Sequence, residues 1–156
     1  MSNRLRAEIK QSKPFPRRSA EALLSVIRTA AVLEHEMGDV LKPHGITVTQ
    51  YNVLRILRGA GAGGLCGREI GERMVSSVPD VSRLLDRMEE MELIERTRDE
   101  HDRRHVTARV TSRGLDVVAQ ATPDLEAVER LRFGPIDEGR LDTVIGVLED
   151  VRAAGG

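Results

Sequence analysis

The chain has 156 residues, of which 40% are hydrophobic, and a formal net charge of −1 at pH 7. This length is within the range of one compact domain, and the near-neutral charge argues against a histone-like protein that binds nucleic acid by charge alone. The aromatic residues are Phe15, Tyr51 and Phe133, so we expect an aliphatic, mostly helical core. A single cysteine, Cys66, excludes an internal disulfide and a zinc finger.

Nothing in the sequence suggests a membrane protein or a secreted one. No apolar run approaches the length of a membrane span, and the N-terminal segment lacks the apolar stretch of a signal peptide. We therefore expect a cytoplasmic protein without membrane contacts.

The N-terminal part of the chain divides into an arm and a long helix. Residues 1–16 are polar and end in Lys13-Pro14-Phe15-Pro16, where two prolines block a regular helix, so we expect an arm there. From about residue 17, apolar residues recur three and four apart until Pro43. This spacing predicts a long helix with a wide apolar stripe.

A second helix follows at Thr47 or Thr49, either of which provides the side-chain oxygen of an N-cap. Its periodicity places Tyr51, Leu54 and Leu57 on the buried side.

The glycine-rich segment from Gly59 to Gly64 matches the letters of GxGxxG, the fingerprint of a dinucleotide-binding loop. That fingerprint requires a strand before the loop and a helix directly after it, within a βαβ unit. Because a helix precedes this segment, we interpret it as a flexible connector.

Two amphipathic patterns then predict a helix-turn-helix. Residues 67–74 fit its short first helix, and Val75-Ser76-Ser77 fits the turn. Either serine can cap the second helix, with Pro79 in its first turn. The stripe expected to pack inward consists of Val78, Val81, Leu84, Leu85 and Met88.

The outward face of this second helix carries residue types that suit the major groove. Arginine makes bidentate contacts with guanine, and serine reaches a phosphate or a base edge, so Arg83 is the first candidate for base readout. Asp80 has two interpretations: it accepts from a cytosine amino group or aims an arginine, or it favours the positive N-terminus of the helix. The candidate DNA-binding residues here are Ser76, Ser77, Asp80, Ser82, Arg83 and Arg87.

Two predicted strands with a charged tip come next. They cover residues 95–98 and 105–111, around the tip Asp99-Glu100-His101-Asp102-Arg103-Arg104. A narrow A·T-rich minor groove attracts an inserted guanidinium, so this hairpin fits a DNA-binding wing. The alternative is a solvated hairpin whose Asp and Arg residues pair with one another. The position after a helix-turn-helix favours the wing and adds Arg98, Asp102, Arg103 and Arg104 to the candidates.

Four segments carry a family resemblance: Ile46–Leu54, Val81–Met88, Asp99–Arg104 and Val110–Gly114. Together they resemble the MarR family of bacterial winged helix-turn-helix transcription regulators. The resemblance implies a mainly α fold with a small β-wing, and a homodimer whose first and last helices interleave. It also implies that Arg104 enters the minor groove, that Asp102 orients it, and that Arg103 meets the DNA backbone.

Two positions depart from the family pattern. Glu92 stands where glycine is usual, at a helix C-terminus that favours a left-handed residue, so we expect the wing to leave its helix at a different angle. Cys66 stands where a polar cap is common, and a thiol at a helix N-terminus suggests redox sensing. Because no second cysteine is present to resolve an oxidised form, we interpret Cys66 as a small half-buried residue; a redox-responsive regulator is the alternative function.

The C-terminal third predicts a dimerisation region. Residues 114–133 and 137–153 read as two helices, and Pro123 is expected to kink or restart the first of them. Their apolar stripes lack a core of their own and need a partner surface, most simply a second copy related by a two-fold axis. Two-fold symmetry predicts a pseudo-palindromic operator on double-stranded DNA, with half-sites roughly 34 Å apart.

We therefore divide the chain into an N-terminal arm (1–16), dimerisation helices (17–45 and 112–156) and a winged helix-turn-helix lobe (46–111). The expected function is that of a sequence-specific homodimeric regulator of transcription, a repressor released by a small ligand.

The resemblance also implies where such a ligand binds. In similar proteins it is often a phenolic or another small aromatic acid, and it sits between the dimerisation helices and the DNA-binding lobe. Arg55, Arg68 and Arg73 are the candidate cations for it in this chain.

Other functional classes have little support in the sequence. No nucleophile–base pair, metal triad or phosphate loop occurs in a suitable context, so we expect neither an enzyme nor a cofactor or metal. The histidines are interpreted as solvated or hydrogen-bonded, with His101 and His105 available as extra phosphate donors. The remaining alternative is a ligand-insensitive architectural or protein-interaction module with the same fold.

Overall fold

The computed structural model describes residues 4–102 and 104–155. Most of these residues are helical, and a small antiparallel sheet completes the fold. The elements in chain order are α1 (Arg4–Glu8), α2 (Arg18–Leu41), α3 (Val48–Ala60), β1 (Leu65–Cys66), α4 (Gly67–Arg73), α5 (Val81–Glu90), β2 (Ile94–Arg98), β3 (Val106–Val110), α6 (Ser112–Phe133) and α7 (Glu138–Ala153). Within the described residues, none of these helices is both long and apolar enough to cross a lipid bilayer.

The N-terminal segment contains a short helix that its polar composition did not predict. Leu5 of α1 is buried, and Arg6 donates a hydrogen bond to the carbonyl of Ser12 at 2.8 Å. The Glu8 carboxylate lies 3.8 Å from the guanidinium of Arg28 on α2. The two prolines of this segment come after α1, so they do not prevent it from forming.

The predicted long helix is confirmed as α2, and Thr47 rather than Thr49 caps α3. The Thr47 hydroxyl accepts the Gln50 backbone N–H at 3.1 Å, while the Gln50 side chain accepts the Thr47 N–H at 3.0 Å. This reciprocal capping box satisfies two backbone donors that the helix itself leaves unpaired. A 3₁₀ turn over Lys42–His44 joins the two helices.

The core is aliphatic, as the composition predicts, and it joins α3, α4, α5 and the sheet. The periodicity of α5 places Leu85 and Met88 on one face, and both are buried against this cluster. The helix α6 contributes Val118 and Ala121 to the same core. The fully buried large side chains are Leu41, Val53, Leu54, Leu57, Ile70, Met88, Leu93, Ile94 and Val118.

The glycine-rich segment forms a tight turn and not the flexible connector expected from its composition. It comprises the end of α3, a 3₁₀ turn over Gly61–Gly63, and Gly64, whose φ is +66°. A Cβ atom on Gly64 would lie 2.5 Å from the carbonyl oxygen of Ala108. Glycine is therefore needed here for two reasons, the left-handed backbone and the close approach of β3.

The sheet has the strand order β1-β3-β2, and all its pairings are antiparallel. The hairpin β2–β3, predicted from alternation, is confirmed, with Ile94 opposite Val110 and Arg98 opposite Val106. The strand β1 was not predicted, because two residues are too few to show alternation.

Pro123 does not restart the helix in which it lies. The helix α6 begins after Thr111, whose hydroxyl accepts the Gly114 N–H at 3.0 Å, and continues without a break to Phe133. A proline inside a helix removes one backbone hydrogen bond. Packing on both sides of the proline, through buried Val118 and partly buried Leu125, holds the two halves of α6 in line with the core.

The helix α5 ends in a Schellman motif, in which Glu92 takes the position usually held by glycine. The Leu93 N–H donates to the Met88 carbonyl at 3.0 Å, and the Glu92 N–H donates to the Glu89 carbonyl at 2.9 Å. Glu92 has a φ of +60°, so its backbone adopts the left-handed conformation despite its side chain. The glutamate thus reproduces the glycine C-cap at the cost of backbone strain.

Replacing Glu92 by glycine is expected to stabilise the fold. A left-handed non-glycine residue costs about 1–2 kcal/mol, and the greater freedom of glycine in the unfolded chain offsets part of the relief. We expect Glu92→Gly to raise the free energy of unfolding by about 0.5–1 kcal/mol, measured by urea denaturation.

Glu90→Gly is the matched control, because Glu90 is an exposed residue of α5 with the same charge and no positive φ. This control should lower the free energy of unfolding by about 1 kcal/mol. A similar loss in both variants would show that the left-handed conformation at Glu92 carries no strain.

Candidate nucleic-acid interface

The recognition helix α5 is held against α4 through two glycines. A Cβ atom on Gly71 would lie 3.4 Å from Val81, and one on Gly67 would lie 3.8 Å from Leu85. The inward face of α5 is therefore fixed by close packing on α4 and by the burial of Met88. Its opposite face remains exposed and carries Ser82, Arg83 and Arg87.

The start of the recognition helix differs from the sequence prediction. The helix begins at Val81, and Asp80 is its N-cap, with Oδ1 accepting the Arg83 backbone N–H at 2.9 Å. The prediction that Ser76 or Ser77 caps this helix is wrong, as is the placement of Pro79 in its first turn. An aspartate three residues before a backbone donor satisfies the N-terminus directly, which leaves Pro79 outside the helix.

The loop before α5 is positioned from α3. The Val75 backbone N–H donates to Oδ1 of Asn52 at 2.9 Å. Ser76 and Ser77 follow in this loop, and both are exposed. The serines thus lie in the loop that leads into the exposed face of α5.

The arginines of this surface are available for an external partner. Within residues 4–102 and 104–155, no carboxylate lies within 4.0 Å of a guanidinium nitrogen of Arg83, Arg87, Arg98 or Arg104. All four are exposed. Their charges are therefore not neutralised inside the described part of the chain.

Arg96 on β2 ties the wing to the recognition helix, a role that the sequence analysis missed. Its guanidinium donates to Asp86 and to Glu89 of α5, at 2.5 Å in both cases. These two hydrogen bonds to carboxylates raise the pKa of Arg96 against the opposing effect of partial burial. Only the tertiary structure reveals this pairing, because ten residues separate Arg96 from Asp86 along the chain.

The wing tip is shaped by two aspartates that accept backbone N–H groups. Asp99 accepts from His101 at 2.7 Å and from Asp102 at 3.2 Å, and these bonds hold the pKa of its carboxyl below the usual value of 3.8. Asp102 accepts the Arg104 backbone N–H at 3.0 Å. The tip is therefore a pair of Asx turns, in which the carboxylates bond to the backbone. Arg103 lies outside the described residues.

The other histidines and the cysteine have structural partners. His44 lies 2.7 Å from Asp124, and His35 lies 3.3 Å from Asp39. Cys66 is half-buried, and its backbone N–H donates to Glu69 at 2.9 Å, which lowers the pKa of the Glu69 carboxyl. In the part of the chain that the structure describes, no three His, Cys, Asp or Glu side chains converge as metal ligands.

A cavity of about 460 Å³ lies between the long terminal helices and α3. Of the three candidate cations for a ligand, Arg55 lines it, whereas Arg68 and Arg73 on α4 do not. Tyr51 and Arg58 were missed, although they share one face of α3 with Arg55 at the spacing i, i+4, i+7. The lining residues are Leu33, Met37, Tyr51, Arg55, Arg58, Thr122, Leu125, Glu126, Val128, Glu129 and Phe133.

Comparison with known proteins agrees with this geometry. A family model described as MarR family matches residues 44–105, which include the helix-turn-helix and most of the wing. The crystal structure of Sco5413, a MarR family transcriptional regulator from Streptomyces coelicolor, is 29% identical in sequence, with a TM-score of 0.75. The superposition covers 88% of this chain and 95% of that chain. The chain belongs to the MarR family.

Two further comparisons concern DNA-binding regulators. The crystal structure of a complex of MepR from S. aureus with DNA has the same fold, with a TM-score of 0.75 and 22% identity over 86% of this chain and 96% of that chain. The HTH-type transcriptional regulator MhqR from Bacillus subtilis is 24% identical over 107 residues, which are 69% of this chain and 72% of MhqR. The MarR-family chain is thus a transcription regulator with a DNA-binding fold.

The cap at Asp80 separates the two interpretations of this residue in the MarR-family chain. If the carboxylate serves as the N-cap, Asp80→Ala should lower the free energy of unfolding by about 1 kcal/mol, since one backbone donor loses its partner. Asp80→Asn keeps an accepting oxygen and should change it by only a few tenths of a kcal/mol. Urea denaturation of both variants measures the difference, and equal stability of the alanine variant and the wild type would rule out the cap.

Proposed function

We propose that this MarR-family chain is a homodimeric repressor that binds a pseudo-palindromic operator and is released by a small aromatic ligand. The observation that carries the proposal is the packing of α5. Its buried face fixes the outward direction of Ser82, Arg83 and Arg87, and Arg96 fastens the wing to the same helix. One rigid unit then presents a helix to the major groove and a wing to the neighbouring minor groove.

Each exposed residue of this unit has a role that follows from its chemistry. Arg83 reads a guanine, Ser82 and the loop serines Ser76 and Ser77 reach phosphates or base edges, and Arg87 and Arg98 neutralise phosphates. Arg104 enters the minor groove, with its backbone held by Asp102, and Arg103 meets the DNA backbone. The MepR–DNA complex, which has the same fold, supports the use of this fold on DNA. Asp80 acts as the cap of α5.

Dimerisation is proposed through the terminal helices, because they expose an apolar surface that a solvated monomer does not need. The helix α7 has no buried residue of its own. Exposed apolar contacts of this size mark an interface, and a second copy is the simplest partner. The exposed large apolar residues of α2 and α7 are Leu23, Leu24, Val26, Ile27, Val144, Ile145, Val147 and Val151.

The cavity beside α3 is the proposed effector site. Apolar residues of α2 and α6 form most of its wall, and Arg55 and Arg58 offer positive charge to an acid. Because the cavity is lined both by a DNA-binding lobe helix and by the dimerisation helices, a ligand there can favour one relative position of the two. A ligand that prefers a half-site spacing unsuited to DNA weakens operator binding by its differential affinity.

A charge in the apolar stripe of α7 should dissociate the dimer. Val147 lies in this stripe and is 56% exposed in the single chain. In a dimer, Val147→Asp would bury an unpaired carboxylate, which is costly, so we expect a monomer at micromolar concentration where the wild type is a dimer. Sedimentation velocity measures both states.

Val75→Asp is the matched control, because Val75 is 89% exposed and lies in the DNA-binding lobe. This variant should remain a dimer. A monomeric wild type, or a dimer that persists in Val147→Asp, would contradict the proposed interface.

The two arginines of the DNA-binding surface should fail in different ways. On the duplex that wild-type protein selects from a random-sequence library, Arg83→Ala should lose about 1–3 kcal/mol of discrimination at one base pair, since a bidentate contact to guanine is removed. Arg104→Ala should weaken binding and reduce the slope of log K against log salt by about 1, with the dimer intact. Fluorescence anisotropy over a series of base substitutions and salt concentrations measures both.

Arg152→Ala, which removes an exposed arginine of α7, is the control and should leave affinity and selectivity unchanged. Full base selectivity in Arg83→Ala would place the readout elsewhere. An unchanged affinity and salt slope in Arg104→Ala would remove the minor-groove role of the wing.

A further inference from the structure

Two hydroxyl groups meet in the wall of the cavity, one from the DNA-binding lobe and one from a dimerisation helix. The Tyr51 hydroxyl on α3 lies 2.9 Å from the hydroxyl oxygen of Thr122 on α6. Thr122 in turn lies 2.7 Å from the carbonyl oxygen of Val118, one turn earlier in α6. Tyr51 and Thr122 both line the cavity, and Tyr51 as a whole is only 7% exposed.

The direction of these hydrogen bonds follows from counting protons. A carbonyl oxygen only accepts, so Thr122 must donate its single hydroxyl proton to Val118. Thr122 then has only lone pairs left for Tyr51, and Tyr51 must donate its own proton to Thr122. Both protons are used within the protein, so the Tyr51 oxygen offers the cavity an acceptor and no donor.

The charges around the cavity add a second requirement. Arg55 and Arg58 lie one and two turns beyond Tyr51 on the same face of α3, roughly 6 and 10 Å along the helix axis. Glu126 and Glu129 line the α6 side and disfavour a second negative charge on a ligand.

We propose that Tyr51 is the specificity-determining residue of this cavity, and that it selects monoanionic aromatic ligands with a hydrogen-bond donor at the end opposite the acid. The inference rests on the proposed effector site and defines its ligand class. The ligand hydroxyl donates to the Tyr51 oxygen, and the ligand acid faces Arg55 and Arg58. A ligand with its hydroxyl next to the acid cannot reach both ends.

The test uses 4-hydroxybenzoate and 4-fluorobenzoate, which have the same anionic end and similar size but differ in the donor. Isothermal titration calorimetry of wild-type protein should give about tenfold tighter binding of 4-hydroxybenzoate, the value of one well-formed hydrogen bond. In Tyr51→Phe the ratio should fall to about one, with the affinity for 4-fluorobenzoate unchanged. Phenylalanine keeps the buried ring, so this variant is expected to fold.

Thr122→Val provides the opposite change on a side chain of similar shape. Valine removes the oxygen that accepts from Tyr51, so the tyrosine proton becomes free to turn toward the ligand. The preference for 4-hydroxybenzoate should weaken, and 4-formylbenzoate, which carries an acceptor in the same place, should bind more tightly than it does to the wild type.

The outcomes separate this inference from the effector proposal. Equal affinity of wild type for both benzoates, or a tenfold ratio that persists in Tyr51→Phe, overturns the role of Tyr51 while the cavity remains a ligand site. If neither benzoate binds wild-type protein or releases it from its selected duplex, both the role of Tyr51 and the cavity as a site for aromatic acids are overturned.

Discussion

The burial of one face of α5 is the constraint on which the rest of the structure depends. Leu85 and Met88 pack into the aliphatic core, and a rotation of the helix about its axis would expose them at a cost of about 1.5–3 kcal/mol each. The position of Arg83 on the outer face is therefore a consequence of core packing. Arg96 extends the same constraint to the wing, because it bonds to two carboxylates of α5.

The DNA-binding lobe is joined to the dimerisation region by a few polar contacts that all reach one turn of α6. Tyr51 bonds to Thr122, and His44, in the turn between α2 and α3, bonds to Asp124 at 2.7 Å. Pro123 stands between these two partners and leaves the helix one backbone hydrogen bond short at this point. A ligand beside Tyr51 therefore lies at the contact through which the lobe and α6 hold their relative position.

Periodicity was enough to predict the helices, the wing hairpin and the outward direction of Arg83, because each depends on residues close together in the chain. The start of α5 was misplaced because Ser77 and Asp80 are both good caps, and only the backbone decides between them. The pairing of Arg96 and the division of labour between Arg55 and the arginines of α4 depend on tertiary contacts. No local pattern of charges encodes those contacts.

The central claim is that two copies hold two recognition helices at the spacing of one turn of B-form DNA. Hydroxyl-radical footprinting on genomic fragments enriched by the wild-type protein tests it most directly. The account predicts two protected half-sites related by a dyad, with centres about 10 base pairs apart, and protection of the minor groove at the outer flanks. A single asymmetric footprint, or protection spread evenly without enrichment of any sequence, would contradict it.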